Sequence, residues 1–109
     1  MVFRSKYRSR LEIIANILDI VKGGSKKTHI MFQANLSYKL LCRYLDEVLE
    51  AGLVRFDDST SNRYYLTEKG EVFLERCREY FERKKEVQEK IALMAKEREF
   101  LEEMLKGAC

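Results

Sequence analysis

The sequence predicts a mainly α fold with one small β-hairpin (α+β), and three observations predict it. Apolar residues recur at helical spacing over residues 38–51 and stop at Gly52, a residue suited to the left-handed end of a helix. Two short β-branched or aromatic runs, 53–56 and 63–66, flank a cluster of turn formers at 57–62. A further helical pattern begins after Thr67, which is a good cap. A hairpin held between two helices is the order of a winged helix-turn-helix.

The first helix is predicted to begin at a capping box formed by Ser9 and Glu12. Residues 1–8 before it have neither helical nor alternating periodicity, and we expect a flexible basic arm there. The pair Gly23-Gly24 is expected to end the helix. Its expected core face consists of Leu11, Ile14, Leu18 and Val21.

The second helix is expected over residues 26–34, with Ser25 as its cap and with Ile30 and Met31 facing inward. Asn35 is expected to adopt a left-handed conformation in the turn that follows. Ser37 is expected to cap the third helix. The expected apolar face of that helix consists of Leu41, Tyr44, Leu45, Val48 and Leu49.

Charge is distributed unevenly along the 109 residues, although the net charge is only +3. Residues 1–43 carry nine Lys and Arg against two acidic residues, which gives +7 and leaves −4 for the rest. A basic half of this kind suits a polyanion, and a merely solvated surface is the alternative. The interpretation divides the chain into a basic arm (1–8), a winged helix-turn-helix domain (9–70) and a long dimerisation helix (68–106).

The residues around ANLSY, at 34–38, and YYLTEKG, at 64–70, resemble the small archaeal winged-helix proteins of the Sulfolobus 10a family and their regulator-like relatives. The resemblance covers about residues 10 to 85. It implies a DNA-binding winged helix that dimerises through an antiparallel C-terminal coiled coil. In that family the function ranges from nucleoid packaging to transcriptional regulation.

Double-stranded DNA is the partner that this interpretation predicts. The start of the second helix offers backbone N–H groups and basic side chains to phosphate. The third helix is the candidate recognition helix, basic at its start and acidic at Asp46, Glu47 and Glu50, so its first turns are expected to approach the groove. The hairpin loop adds polar residues, although Asp57 and Asp58 weaken that contact. The expected DNA-binding residues are Lys26, Lys27, Thr28, Ser37, Tyr38, Lys39, Arg43, Asn62, Arg63 and, in the arm, Arg4, Lys6 and Arg8.

Other kinds of site find little support in the sequence. The single histidine, His29, has no neighbouring nucleophile pattern, and we expect neither an enzyme nor a metal or other cofactor. The three cysteines include no CxxC pair, and Cys42 is interpreted as a small neutral filler. The apolar run after residue 10 is broken by Glu12, Asn16 and Asp19, so we expect no membrane partner and a cytoplasmic, nucleoid-associated protein. No small-molecule ligand is predicted.

A heptad seam runs through the C-terminal helix and predicts a homodimer. A helix folded back on its own domain would explain Phe73 and Cys77 alone. A parallel pair would stack Lys84 on Lys84 and Arg98 on Arg98, whereas an antiparallel pair brings Arg83 near Glu97 of the partner, so antiparallel pairing is expected. The expected dimerisation residues are Tyr80, Lys84, Val87, Ile91, Met94, Arg98, Leu101 and Leu105.

The function predicted from these features is a homodimeric winged-helix transcriptional regulator that binds double-stranded DNA. An architectural chromatin protein with little sequence specificity is one alternative. A winged helix used only for contacts with other proteins is another.

Overall fold

The computed structural model describes residues 8–59 and 61–107. It contains helices α1 (Arg10–Ile20), α2 (Lys27–Ala34), α3 (Tyr38–Glu50) and α4 (Glu68–Lys106). The strands β1 (Val54–Asp57) and β2 (Arg63–Leu66) form an antiparallel hairpin in which Val54 is paired with Leu66. This order confirms the predicted fold class, a winged helix-turn-helix with a long C-terminal helix.

The predicted capping box starts α1. Ser9 Oγ accepts the N–H of Glu12, at 3.1 Å, and Glu12 Oε1 accepts the N–H of Ser9, at 2.8 Å. The helix ends at Ile20, and a 3₁₀ turn at Val21–Gly23 follows it. Leu11 is exposed, contrary to expectation, because the buried stripe passes through Ile14, Ile17, Leu18 and Val21 and leaves the first turn partly outside the packed region.

The sequence predicted that Ser25 caps α2, and this prediction is wrong. The helix begins at Lys27, and its N-cap residue Lys26 makes no side-chain capping bond. Ser25 is buried instead, with its hydroxyl donating to the carbonyl of Ile20 at 2.9 Å. Its backbone N–H donates to Tyr64 O at 3.0 Å and its carbonyl accepts from Tyr64 N at 2.8 Å. Ser25 therefore extends the hairpin by one residue of a third strand.

The turn between α2 and α3 forms as predicted. Asn35 has a left-handed backbone (φ 54°) and Ser37 Oγ accepts the N–H of Leu40 at 3.2 Å. Leu41, Leu45 and Val48 are buried, whereas Tyr44 and Leu49 are half-buried at the edges of the apolar face. Gly52 follows α3 with φ 77°, a conformation that glycine adopts without steric cost.

Thr67 joins the end of α3 to the start of α4. Its backbone N–H donates to Leu53 O at 3.1 Å, and its hydroxyl donates to Gly52 O at 2.6 Å. The same hydroxyl oxygen accepts the N–H of Gly70 at 3.0 Å, as expected of a cap. The hairpin between Gly52 and Thr67 is thus closed at its base by side-chain and backbone hydrogen bonds.

The helix α4 belongs to two compact units, one ending at Cys77 and the other beginning at Arg78. In the first unit α4 buries Gly70, Leu74 and Cys77, with Phe73 half-buried. Leu74 is not a member of the predicted seam, although it lies between Phe73 and Cys77 in the sequence. It is buried because the domain core, rather than the seam, sets the buried face of these first turns. In the second unit every residue from Glu82 to Gly107 is exposed.

None of the helices within residues 8–59 and 61–107 combines the length and the apolar composition that crossing a membrane requires.

Gly70 provides a test of the packing between the start of α4 and the base of the hairpin. A Cβ at this position would overlap the carbonyl oxygen of Leu53 and lie 2.6 Å from Leu66 Cδ1. We expect Gly70→Ala to lower the free energy of unfolding by about 1 to 3 kcal/mol, the usual cost of overpacking. Urea denaturation measures it. Gly23→Ala is the matched control, since a Cβ at Gly23 has no neighbour within 4 Å, and equal stability of the two variants would contradict the packing.

Candidate nucleic-acid interface

Lys27 and Tyr38 connect the first turns of α2 and α3. Lys27 Nζ donates to the Tyr38 hydroxyl at 3.3 Å and lies 4.9 Å from the centroid of the Tyr38 ring. The hydrogen bond to Tyr38 and a weaker one to Cys42 raise the pKa of the Lys27 ammonium above its ordinary value. Two predicted site residues that are eleven positions apart in the chain are therefore in contact, and the lysine of the pair carries a positive charge.

The start of α2 is open to solvent beside this pair. Lys26 and Thr28 are exposed and Lys27 is half-buried. The first N–H groups of a helix lack intrahelical partners and carry the positive end of its dipole, so they favour an anion. His29 is also exposed, one residue further along α2.

The solvent face of α3 has the predicted polarity. Lys39 and Arg43 are exposed in its first half, whereas Asp46 and Glu50 are exposed in its second half. Glu47 forms a salt bridge with Arg10 of α1. The sequence analysis did not identify this pair, because residues 37 positions apart leave no local pattern. Positive charge is thus concentrated at the end of α3 that adjoins α2.

Arg8 is held beside the same turn. Its guanidinium Nη2 donates to the carbonyl of Asn35 at 3.3 Å, and the side chain is half-buried. The last residue of the expected flexible arm is therefore attached to the α2–α3 turn. Arg4 and Lys6 lie outside the described residues.

The hairpin loop uses several of its polar groups internally. Arg63 is half-buried, and its Nη1 donates to Gly24 O at 3.3 Å, close to the start of α2. Asp57 Oδ1 accepts from the backbone N–H of Ser59 at 3.0 Å and from its hydroxyl at 2.6 Å. These two bonds lower the pKa of the Asp57 carboxyl. Asn62 is exposed with φ 51°, so it presents its amide to solvent.

Arg55 is a basic residue that the sequence analysis missed. It is exposed on β1, and its guanidinium carbon lies 4.6 Å from the centroid of the Tyr65 ring. The alternation of the strand was the available signal, because it places Arg55 on the face opposite buried Val54. The other face carries Phe56 and Tyr64, whose ring centroids are 4.7 Å apart.

The apolar members of the heptad seam are exposed throughout the second unit. Their exposed fractions run from 50% at Tyr80 to 71% at Leu105. Arg98 Nε forms a salt bridge with Glu102 Oε2, one turn later, at 3.1 Å. Lys84 is exposed as well. The eight predicted dimerisation residues are Tyr80, Lys84, Val87, Ile91, Met94, Arg98, Leu101 and Leu105.

Comparison with known proteins identifies one family and several relatives. The winged helix-turn-helix family matches residues 7–85. The uncharacterized protein MJ0290 of Methanocaldococcus jannaschii is 40% identical over 75 residues, which cover 68% of this chain and 34% of that protein. This chain thus spans about a third of the length of that relative. A second uncharacterized protein of the same organism, MJ0287, is 34% identical over 76 residues, covering 69% of this chain and 75% of the relative.

Solved structures share the fold. Sso10a-2, a DNA-binding protein from Sulfolobus solfataricus, superposes with a TM-score of 0.71 at 23% identity, covering 80% of this chain and 96% of that chain. A MarR family transcriptional regulator from Silicibacter pomeroyi gives a TM-score of 0.56 at 26% identity, covering 89% of this chain and 71% of that chain. At such identities the likeness to Sso10a-2 concerns the fold alone.

The contact between Lys27 and Tyr38 can be tested by removing one hydroxyl. We expect Tyr38→Phe to lower the pKa of the Lys27 ammonium toward its ordinary value, because the hydrogen bond to Tyr38 is the largest cause of the raised pKa. A pH titration followed by NMR of the Lys27 side chain measures the change. Tyr64→Phe is the control, since that ring packs on Phe56. An unchanged Lys27 pKa in Tyr38→Phe would show that the bond does not persist in solution.

Proposed function

Because this chain belongs to the winged helix-turn-helix family, we propose that it binds double-stranded DNA as a homodimer and regulates transcription. The observation that carries the proposal is the exposed basic start of α3, with Lys39 and Arg43, adjoining the first turn of α2 through the contact of Lys27 with Tyr38. Among proteins with this fold, Sso10a-2 is a DNA-binding protein and the Silicibacter pomeroyi protein is a transcriptional regulator.

In the proposed complex the first half of α3 enters the major groove. Lys39 and Arg43 face the base edges, where an arginine can donate two hydrogen bonds to guanine. The exposed acidic residues Asp46 and Glu50 repel phosphate, so the second half of α3 tilts away from the duplex. Ser37 holds the first turn in place as its N-cap, and Tyr38 presents its ring beside the groove.

Phosphate contacts surround this helix and position it. Lys26, Lys27 and Thr28 bind one phosphate group at the start of α2, since backbone N–H groups and positive side chains converge there. Arg8 is anchored to Asn35 beside this site, and Arg4 and Lys6 of the arm are proposed to add phosphate contacts. Asn62 is an exposed loop residue that is proposed to contact the duplex. Arg63 positions the loop through Gly24 and has its remaining N–H groups for phosphate.

The homodimer forms through the exposed seam of α4. A chain of this size has a small core, and pairing two seams removes their apolar side chains from water. In the antiparallel register that brings Arg83 near Glu97 of the partner subunit, Lys84 lies opposite Met94 and Arg98 lies opposite Tyr80. Both long side chains can then lay their aliphatic stems along an apolar or aromatic neighbour, with their charges in water. We place the dimer in the cytoplasm, in association with the nucleoid.

DNA titrations at several salt concentrations test the function. We expect binding that weakens steeply with salt, because phosphate contacts release counterions, and a preference of about a thousandfold or more for sequences selected from a random pool. A steep salt dependence without preference would instead indicate an architectural chromatin protein. Absence of binding at low salt would overturn both and favour a domain that contacts only proteins.

Two substitutions separate base contacts from phosphate contacts. Arg43→Ala is expected to cost about 1 to 3 kcal/mol of binding free energy on the selected sequence and to relax specificity at one position. Lys27→Ala is expected to weaken binding to all sequences alike. Lys85→Ala is the matched control, because Lys85 is an exposed basic residue in the second unit. If both variants bind as tightly as the parent, the proposed face is wrong.

Engineered cysteines test the orientation of the dimer, in a background with the three natural cysteines replaced by alanine. In the antiparallel register the variant Lys84→Cys/Met94→Cys forms a disulfide-linked dimer under mild oxidation, because these positions face each other. Lys84→Cys alone stays unlinked, since the two copies are about 15 Å apart along the axis. In a parallel dimer Lys84→Cys alone links to itself, because each seam position then faces its own copy, so the single variant decides the orientation. Non-reducing gel electrophoresis reads the outcome.

A further inference from the structure

Three large apolar side chains of α4 lie outside the seam. Leu93, Phe100 and Met104 are 62%, 66% and 63% exposed, and they are called the outer stripe below. In the heptad that places Val87, Met94 and Leu101 at d, Leu93 and Phe100 occupy c and Met104 occupies g. A two-stranded coiled coil buries a and d and leaves c in water. Dimerisation through the seam therefore leaves most of the outer stripe uncovered.

The outer stripe is a continuous feature of the helix surface. Spacings of seven and four residues place its members on one side of α4, centred about 120° around the axis from the seam. Glu97 lies between Leu93 and Phe100 on the same side. An aligned set of exposed apolar residues marks an interaction surface more often than isolated ones do.

We propose that the outer stripe binds the outer stripe of a second dimer in antiparallel orientation and so links seam dimers to one another. In the register that this pairing favours, Leu93 lies against Met104 of the second copy, and Phe100 lies against the stem of its Glu97. The contact uses the same patch on both sides, so it is isologous. Because each seam dimer carries one outer stripe on each protomer, the contact can link successive dimers into a chain. The inference builds on the proposed seam dimer.

The charges beside the outer stripe favour a second copy as its occupant. Lys96 and Glu103 flank the stripe at f positions, and in the antiparallel register each Lys96 comes close to Glu103 of the other copy. The two-fold symmetry of the contact gives this ion pair twice. A parallel arrangement would put the two f rows on opposite edges of the contact, so Lys96 and Glu103 of different copies could not pair. Within one chain Glu103 forms a salt bridge with Lys106, whose Nζ lies 3.6 Å from Glu103 Oε2.

A lipid surface or DNA fits this face poorly. Both are anionic, and the acidic residues Glu97 and Glu103 lie within or beside the stripe. The contact is also small, with three apolar side chains from each helix and Glu97 in its middle. It is therefore weaker than the seam, and dimers associate through it with rising concentration or where bound DNA brings them together.

Sedimentation equilibrium over a wide concentration range tests the proposal. The parent chain is expected to pass from dimer to larger assemblies as its concentration rises, and Phe100→Ser to remain a dimer with unchanged helical content by circular dichroism. Lys96→Glu and Glu103→Lys should each weaken the association of dimers by about tenfold, the effect of 1.4 kcal/mol, and the double swap should restore it. Glu99→Lys is the control, because it makes the same change of charge at a b position.

Several outcomes would overturn the proposal. These are a parent chain that stays dimeric at millimolar concentration, larger assemblies that survive Phe100→Ser, or a double swap that fails to rescue the single variants. Ile91→Ser, in the seam, separates this proposal from the proposed dimer. If Ile91→Ser leaves self-association intact while Phe100→Ser gives a monomer, the seam assignment fails and the outer stripe is the primary contact. If the parent is monomeric throughout, both fail.

Discussion

The hydrogen bonds of Thr67 to Gly52, Leu53 and Gly70 close the base of the hairpin and fix where α4 begins. A single threonine there satisfies the carbonyls left by the end of α3 and an N–H at the start of α4, both of which would be costly to leave unpaired. Gly70 allows the helix to approach the backbone of Leu53 because it has no side chain. The direction of the hairpin, and the face of α4 that enters the core, both follow from this close contact.

The candidate interface depends on contacts of the same kind between elements. The bridge of Ser25 to Tyr64 holds the segment before α2 against the hairpin, and the Lys27 contact with Tyr38 sets α2 beside α3. Arg8 attaches the preceding segment to the turn at Asn35. Together these contacts gather basic residues from four parts of the chain, while the acidic second half of α3 is partly neutralised by the Arg10–Glu47 pair.

The helix α4 satisfies two different requirements along its length. Its first turns contribute Leu74 and Cys77 to the core, where burial raises the pKa of the Cys77 thiol and keeps it protonated. Beyond Arg78 its apolar residues are exposed on two sides of the helix, the seam and the outer stripe. Burial of Phe100 and Ile91 against a partner would remove their apolar surface from water, and this is the physical basis of the proposed self-association.

Local sequence patterns determined the elements of this protein. The Ser9–Glu12 capping box, the Ser37 and Thr67 caps, the left-handed Asn35 and the hairpin all involve residues within a few positions of each other, so their signals survive in the sequence. The basic start of α3 was predictable for the same reason, because helical spacing alone puts Lys39 and Arg43 on one face. Tertiary structure alone decided that Ser25 pairs with the hairpin and that Leu74 enters the core together with Cys77. It also decided that Arg8, Arg10 and Arg63 have partners 27, 37 and 39 positions away. Such contacts depend on how elements pack, and packing is set by the whole core rather than by neighbours along the chain.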